Sequence, residues 1–496
     1  MTQICVCLTD ETTADIVRRM SELSGIADIF EVRADYVFDL DLLTILRSKK
    51  RPLMLTCRSL SEGGRWDESD PRRRMVLLEG VKRGYDYVDV EYRSGYMDVM
   101  VEKAGRGLVV SYHDTQGTPP DLDALYGQMC ATGADVVKIA TTPQSVAEVG
   151  QLLGFAARTA GKGGTPLVAV AMGPMGVITR VIGGRYGAPF TFASPAHGAE
   201  SGPGQIPAPL LADLYRVREV SQKTKVFGVL GSHVERSLSP MIHNRAFEAA
   251  SIDAVYVPLQ AEALEPFMQA LPELGLSGFS VTRPYKVEIL PLLQEVDESA
   301  ALCGSVNTVV VREDGSLQGS TTDGIGVLAP LKKKIDVKGK DVVIVGAGGA
   351  ARAAALALQR KGARPTLLAR DPAKAEFVAQ SLGCASGDLA EIRNFSWDVL
   401  INATPVGSTA HGADASPVPK DAHRPGTVVF DMVYEPLETQ LLRDAQAAGC
   451  AVVEGLEMLI AQAVAQYETW TGKEAPVSAM KSVALYLAQE HEEAGV

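Results

Sequence analysis

Apolar positions in the first part of the chain fall into short runs separated by longer amphipathic stretches. The runs ICVCL, DIFEVRAD, PLMLTCR, YVDVEY, GLVVSYHD, DVVKIA, PLVAVAM and PFTFAS are rich in β-branched residues and bounded by turn formers, the pattern of strands. Between them, segments such as ETTADIVRRMSEL and PQSVAEVGQLLGFAART carry apolar residues at helical spacing. Eight strands alternating with helices over roughly 200 residues predict a (β/α)8 barrel. A doubly wound open sheet is the competing arrangement; the count of eight favours the barrel.

A polar stretch, REVSQKTK (218–225), breaks this rhythm before a fresh strand, VFGVLGS. The barrel is therefore expected over residues 1–221. A second α/β lobe is expected over 225–330, ending near GSTTDGIGV. Basic LKKKIDVKGK leads into DVVIVGAGGAARAAALALQRKG, which opens a third region, 337–474, on a strand–turn–helix pattern. SPVPKDAHRPG (416–426) reads as a surface loop. SAMKSVALYLAQEHEEAGV reads as a closing helix with an acidic tail, its 475–490 portion expected to return to the second lobe.

Composition narrows the function classes. The 496 residues carry a net charge of −12, which argues against nucleic acid or an anionic membrane as the main partner. Clustered Arg and Lys still permit small anionic substrates. The seven cysteines are scattered, without CxxC pairs or zinc-like spacing, and read as free thiols of a reducing compartment. No HxxxH or HExxH pattern supports a metal. No apolar run reaches the ~18 residues of a membrane span. The start, MTQICVCLTD, lacks the features of a signal or transit segment, so a cytoplasmic location is expected, with a plastid requiring a removed transit peptide. Oligomeric state stays open.

The stretch VVIVGAGGAARAAALAL is a strand, a glycine turn and an Ala-rich helix. Gly346, Gly348 and Ala351 fill the G-x-G-x-x-G/A fingerprint, and Ala347, Gly349 and Ala350 complete a turn that aims a helix N-terminus at a pyrophosphate. The next strand ends about 20 residues on, where an NAD site would carry an acid. Arg370 stands there, with Lys374 a turn later and Asp371 between them. Two cations suit a 2′-phosphate, so NADP is the expected cofactor. Upstream, SHVERSLSPMIHNRAF places Ser237 and Ser239 just before a helix, either as a cap or as hydroxyls reaching a carboxylate. Thr282, Lys286, Asn307, Thr322 and Asp323 follow in GFSVTRPYK, GSVNTVV and STTDGIG, a set suited to a polyol and a proton-transfer pair.

In the barrel, polar residues recur at the expected C-terminal ends of strands, where barrel chemistry lies: Glu31, Arg33, Arg58, Glu91, His113, Lys138, Arg180, Ser201 and Gln205. Lys138 sits inside an apolar run. Burial of a lysine in apolar surroundings disfavours the ammonium, and the free amine attacks ketones to form a Schiff base. His113 on the neighbouring strand is a suitable base, and the arginines suit a carboxylate. Residue chemistry alone indicates a Schiff-base lyase or aldolase acting on a small anionic keto compound.

The motifs SLSPMIHN, VTRPYK, GSVNT, TTDGIG, VGAGGAARA, INATPVG and DMVYEPLETQLL closely resemble the shikimate dehydrogenase family, in order, across the second half. EVRAD, TCR…EGG, VSYHD, VVKIA, MGPMGVITR and SGPGQI resemble type I 3-dehydroquinate dehydratase over roughly residues 3–215. These resemblances imply a Rossmann-type NADP lobe behind a substrate lobe, and Lys286 with Asp323 as the catalytic pair. They imply that Ser237, Ser239, Thr282, Asn307, Tyr434 and Gln462 hold substrate. Asn402, Thr404, Pro405 and Gly455 would border the cofactor. Ser280 stands where the bacterial family commonly has Asn. In the barrel, Lys138 is implied as the Schiff-base lysine and His113 as the base, oriented by Glu91 beside Asp89. Glu31, Arg33, Arg58, Arg180, Ser201 and Gln205 would hold substrate, and Glu62 would lie on a mobile loop with Gly63 and Gly64. Together the halves imply conversion of 3-dehydroquinate to 3-dehydroshikimate and on to shikimate. An NAD-linked quinate/shikimate dehydrogenase and a catalytically retired regulatory protein are the alternatives; both implied catalytic sets, Lys138 with His113 and Lys286 with Asp323, are present, which disfavours the second.

Overall fold

The computed structural model describes residues 1–493, with side chains followed to Tyr486; the last three residues of the acidic tail lie outside the described residues. All eight strands expected in the first half form: β1 (Gln3–Leu8), β2 (Ile29–Arg33), β3 (Leu53–Thr56), β4 (Tyr87–Glu91), β5 (Leu108–Asp114), β6 (Val136–Thr141), β7 (Leu167–Ala171) and β8 (Phe190–Ser194). A short β9 (Ile206–Pro207) follows. The sheet runs β7-β6-β5-β4-β3-β2-β1-β8-β9. Because β1 pairs in parallel with both β2 and β8, the sheet curls into the barrel rather than opening into a doubly wound sheet.

Side chains alternate across a strand, so every second residue faces the barrel interior. That inner face is apolar near the strand starts, where Cys5, Ile29, Met54, Val109, Val136 and Phe190 pack together. Two or four residues further along the same face the strands carry Glu31, Thr56, Asp89, Ser111 and Lys138, then Arg33, Arg58, Glu91 and His113. The outward residues, such as Val137 and Ile139, are fully buried.

Parallel strands leave the first N–H groups at the opposite end without ladder partners, and buried N–H groups need acceptors. An aspartate placed just before the next strand supplies one. Asp28 accepts from the Ile4 N–H at 2.8 Å and Asp86 from Leu53 at 2.8 Å. Asp135 accepts from both Gly107 and Leu108, at 2.8 and 2.7 Å. In the last sheet Asp398 does the same for Asp341, at 2.9 Å.

Strands β10 (Lys225–Gly231), β11 (Ala254–Gln260), β12 (Leu276–Val281), β13 (Glu295–Val296), β14 (Thr308–Val311) and β15 (Leu317–Ser320) form a mixed sheet, ordered β11-β10-β12-β14-β15-β13. The third sheet holds β16 (Asp341–Val345), β17 (Arg364–Ala369), β18 (Ala385–Asp388), β19 (Val399–Asn402), β20 (Val428–Asp431) and β21 (Ala451–Val453). Its order, β18-β17-β16-β19-β20-β21, reverses direction between β16 and β19. Such a switch point is where open parallel sheets bind ligands.

By internal contacts the chain divides into two units. One holds Met1–Val226, Ser232–Glu235 and Asp253–Leu276; the other holds Phe227–Gly231, Arg236–Ile252 and Ser277 onward. Within the first unit the helix Leu264–Leu274 lies on the helix Val146–Ala160. A Cβ on Gly150 would come within 2.8 Å of Ala270, so the glycine sets this close approach. Within the second unit the closing helix, Val477–Glu493, packs on the helix Ser239–Ala249. Among the described residues no helix is long and apolar enough to cross a membrane.

Replacing Asp135 by Ala strands two strand-end N–H groups at the closed end of the barrel. We expect a loss of about 1–3 kcal/mol in urea unfolding with the chemistry at the other end unchanged; unaltered stability would remove the clasp from this account.

Two candidate active sites

The first site is the polar end of the barrel interior. Lys138, only 7% exposed, points inward because it shares the inner face of β6 with Val136 and Ala140. Its apolar neighbours Val137 and Ile139 face the opposite way. The expectation that these flanks surround the amine is therefore corrected: Nζ lies 3.4 Å from Asp89, 4.0 Å from Glu31 and 3.7 Å from the centre of the Phe192 ring. Arg58 closes the cluster, with Nη2 2.9 Å from Asp89 and Nη1 2.7 Å from the Ser111 hydroxyl. Ser111 in turn donates to Asp89 at 2.6 Å, and Thr56 donates to Glu31 at 2.7 Å. Against the cost of burial, Arg58 and Lys138 hold the Asp89 carboxyl below its usual range.

His113 lies on β5, one inward position beyond Ser111, which is in register with Lys138. Its Nδ1 meets Glu62 Oε2 at 2.9 Å, and the same oxygen accepts the His113 backbone N–H at 3.2 Å. The carboxylate that orients His113 is thus Glu62, not Glu91. Glu91 instead accepts from the Ser59 N–H at 2.7 Å and from Arg73 at 2.5 Å. Strand geometry explains the difference: Glu91 ends β4 pointing at the base of the loop that follows β3, where it accepts the Ser59 N–H, and that loop carries Glu62 over to His113 on β5. Burial, reinforced by Glu91 and Asp89 and opposed by Arg58, pushes the Glu62 carboxyl up to about 8. Burial and the charges of Arg58, Lys138 and Arg33 push His113 well below its ordinary value.

Arg33 is held in a fork by Asp35, at 2.9 and 2.7 Å. Arg180 differs from the other buried arginines. It is 5% exposed, its Nη2 donates to the Pro203 carbonyl at 3.1 Å, and its Nε has no partner. Burial without a facing carboxylate lowers it to about 10. Ser201 donates through N–H (2.7 Å) and hydroxyl (3.2 Å) to Gln205 Oε1, and Gln205 Nε2 rests 3.1 Å from Cys7 Sγ. Reading by motif missed Ser111, Thr56 and Cys7 and named Asp89 only as a neighbour of Glu91. The period of two along VDVE, VSYH, LMLT and CVCL was the available signal.

In the second unit, Lys286 Nζ donates to Asp323 Oδ2 at 2.5 Å. Asn307 gathers the rest: its Nδ2 reaches Asp323 at 2.8 Å, Gln462 at 3.0 Å and Thr322 at 3.0 Å, while its Oδ1 accepts the Thr322 N–H at 2.8 Å. Gln466, one helical turn beyond Gln462, bonds the Asn307 carbonyl and the Thr308 hydroxyl and lies 3.4 Å from Ser280 Oγ. Ser239 opens the helix Ser239–Ala249 rather than preceding it, and the cap position falls on Leu238, which offers no side-chain acceptor. Ser237 Oγ accepts the Ser239 N–H at 3.2 Å. Burial, aided by Glu435, raises the Tyr434 hydroxyl to about 12.

The turn after β16 fits a dinucleotide. Gly346 has φ +121, and a Cβ there would press on Ala403 and Thr404 after β19. The helix Gly349–Arg360 begins at Gly348 without a side-chain cap, which leaves its first N–H groups for phosphate. A Cβ on Gly349 would come within 2.5 Å of Ser305 and 3.2 Å of Lys286, so this glycine lets the turn approach the lysine. A Cβ on Gly455 would meet the Val433 carbonyl at 2.3 Å. Arg370 and Lys374 are exposed. Asp371 between them caps the next helix by accepting from the Lys374 N–H, so this acid is occupied. Asn402 is fully buried and shapes its own turn: it donates to Asp431 at 2.9 Å and accepts from Thr404 N–H at 3.0 Å. Thr439 and the Val433 N–H also donate to Asp431.

A barrel with a buried lysine at its polar mouth, joined to a two-lobed α/β unit with a dinucleotide turn, defines a lyase–dehydrogenase fusion. Family models match in the same order: type I 3-dehydroquinase over residues 4–222, shikimate dehydrogenase substrate binding domain over 229–309, and shikimate 5′-dehydrogenase C-terminal domain over 455–485. The chloroplastic bifunctional 3-dehydroquinate dehydratase/shikimate dehydrogenase of Arabidopsis thaliana is 35% identical, across 91% of this chain and 78% of that one. An NADP(+) shikimate dehydrogenase of Pyrococcus abyssi is 43% identical over 53% of this chain and 97% of its own length. A crystal structure of a shikimate dehydrogenase with NADP+ superposes with TM-score 0.51 at 36% identity, covering 54% of this chain and 96% of that one. The chain belongs to the bifunctional 3-dehydroquinate dehydratase/shikimate dehydrogenase family.

Both shifts act in one direction, favouring a neutral His113 and a protonated Glu62. Because the Glu62 carboxyl is raised on folding from 4.5 to about 8, it contributes stability that is complete below 4.5 and lost as the pH rises to about 8. Histidine-selective NMR should show a neutral His113 ring at pH 7, and Glu62→Gln should flatten the pH dependence of stability over that window. An imidazolium at pH 7 contradicts the assignment.

Proposed function

We propose that the chain carries out two consecutive reactions: dehydration of 3-dehydroquinate to 3-dehydroshikimate in the barrel, and reduction of that ketone to shikimate with NADPH in the second unit. Residues 1–221 serve the first reaction. Residues 225–330, with the helix 475–490, bind substrate for the second, and 337–474 bind the cofactor. The observation that carries this reading is that each half holds one lysine inside a buried polar constellation, with the dinucleotide turn beside the second alone.

In the barrel, the Arg180 guanidinium, buried without a facing carboxylate, takes the substrate carboxylate. Ser201 and Gln205 hold the ring hydroxyls. The Lys138 amine adds to the ketone carbon, and loss of water leaves a protonated imine that draws electrons from the adjacent C–H bond. With Nδ1 held by Glu62, His113 takes that proton on Nε2. The enamine electrons then expel the β-hydroxyl, His113 returns the proton to it as it leaves as water, and hydrolysis of the imine frees the product and Lys138.

In the second unit, Lys286 holds a proton at Nζ for the alkoxide that develops as the ketone is reduced, and Asp323 orients it. Asn307, Gln462, Thr282 and the two serines fix the carboxylate and hydroxyls around that point. NADPH, when bound, supplies the hydride. The turn from Gly346 to Ala351 suits its pyrophosphate, and Arg370 with Lys374 suits its 2′-phosphate. A cytoplasmic setting fits seven cysteines that are all unpaired.

Three substitutions separate the functions. Lys138→Ala should abolish dehydration, and borohydride trapping with it, while 3-dehydroshikimate reduction continues. Lys286→Ala should do the reverse, lowering reduction by about 10²–10⁴-fold. Arg370→Ala should raise KM for NADPH about tenfold or more without affecting NADH; equal use of both cofactors by the unaltered protein would contradict the 2′-phosphate reading.

A further inference from the structure

Arg73 is the one arginine of the run Arg72–Arg74 that turns inward. Its neighbours pair with Asp70 and Asp98 at the surface. Arg73 is 2% exposed, and a buried arginine needs partners that compensate for its lost hydration. Its Nη2 lies 2.5 Å from Glu91 Oε2 and 3.3 Å from the Cys57 carbonyl. Its Nη1 lies 3.3 Å from the Glu68 carbonyl and 3.5 Å from the Tyr96 hydroxyl. Cys57 and Glu68 are the residues at the two ends of the loop that carries Glu62. One guanidinium therefore staples both ends of that loop and holds a carboxylate that grips its interior.

The grip is specific. Glu91 Oε1 accepts the Ser59 N–H at 2.7 Å. The Ser59 carbonyl accepts the N–H groups of Glu62 and Gly64, at 3.2 and 2.6 Å, and so closes the turn in which Glu62 sits. Gly64 packs so tightly that a Cβ would lie 2.2 Å from the Arg58 carbonyl. On the other side Asp35 accepts the N–H groups of Arg58 and Arg65, at 3.3 and 3.2 Å. Displacement of Ser59 thus moves Glu62 relative to His113. The charged or titratable groups facing Glu91 are Arg73, Arg58 and Tyr96, with Cys57 nearby; those facing Glu62 are Arg58 and His113, with Glu91, Asp89, Arg93 and Tyr112 nearby.

We propose that Arg73, acting through Glu91 and the 58–67 loop, is a positioning residue for the dehydratase: it sets Glu62 against His113 without touching substrate. The proposal rests on the reading of Glu62 and His113 as the proton-transfer pair. In the free loop Glu62 samples other placements, and a misplaced proton-transfer group costs rate rather than affinity.

The full chain tests this with 3-dehydroquinate. Arg73→Met should lower dehydration kcat about tenfold or more with KM changed less than about threefold. Borohydride trapping on Lys138 and 3-dehydroshikimate reduction should persist. The kcat transition set by Glu62 should move upward by about half a pH unit or more, because Glu91 loses its compensating charge. Arg73→Lys, which restores charge but spans fewer partners, should recover part of the rate. A kcat within about twofold of the unaltered protein, or a loss with trapping equally lost and the pH transition unmoved, overturns the proposal. If Arg73→Met does not fold, Glu91→Gln must show the same split between kcat and trapping, and its absence overturns the proposal. Glu62→Gln, run alongside, separates the two levels. An unchanged rate there sinks the proton-transfer reading and this proposal together. A slow Glu62→Gln with a normal Arg73→Met sinks this proposal alone.

Discussion

Parallel strands with a side-chain period of two place every second residue on one face and every strand end on one side. In a closed sheet that face is the barrel interior, so a polar residue in an inward register cannot turn to water. The chain uses this constraint deliberately along its length. Each inner face begins apolar, supporting the barrel floor, and turns polar toward the strand end, where Glu31, Asp89, Ser111, Lys138 and His113 converge. The third sheet uses the same directionality without closure: the turns after β16 and β19 meet at the switch point, and Gly346 exists there because Ala403 and Thr404 crowd its missing side chain.

Concentrating charge inside a barrel raises the cost of burial, and the site meets it by alternating signs. Arg58 stands between Asp89, Glu62 and Glu91, and Lys138 lies against Asp89 and Glu31. Arg33, Arg58 and Lys138 each lie within reach of a carboxylate, and Arg180, which does not, is the one suited to a substrate carboxylate among these four. Burial raises the Glu62 carboxyl, and Glu91 and Asp89 nearby add to the rise against the pull of Arg58. An imidazole held through Nδ1 by a buried carboxyl keeps Nε2 free to take one proton from the substrate and later return it.

The sequence was legible where local pattern and chemistry coincide. All eight barrel strands, the glycine turn, Lys286 with Asp323, and the lysine–histidine pair on adjacent strands follow from period, spacing and motif. It was least legible where a loop folds back. Glu62 and Glu91 lie near each other in neither sequence nor motif, and choosing between them as the partner of His113 requires knowing that the 58–67 loop returns over β5 while Glu91 points to that loop's base. Nothing in the run RRR distinguishes Arg73, the middle one, as the arginine that turns inward. Asp371 stands beside Arg370, close to where an NAD site carries an acid, and only local geometry commits it to capping a helix.

By itself the sequence determined the periodicities, and with them the order of strands and helices, the apolar flank of each element, and which reactive side chains the chain owns. These depend on contacts a few residues apart, which a linear pattern records. Only the tertiary structure decided what surrounds each reactive group. Lys138 sits among carboxylates and not among its own apolar neighbours because strand closure, not adjacency in the chain, chooses the atoms within 4.0 Å of an inward side chain. Ion pairs, buried hydrogen bonds and loop positions join residues tens of positions apart, and their identity depends on a register that forms when the sheet closes.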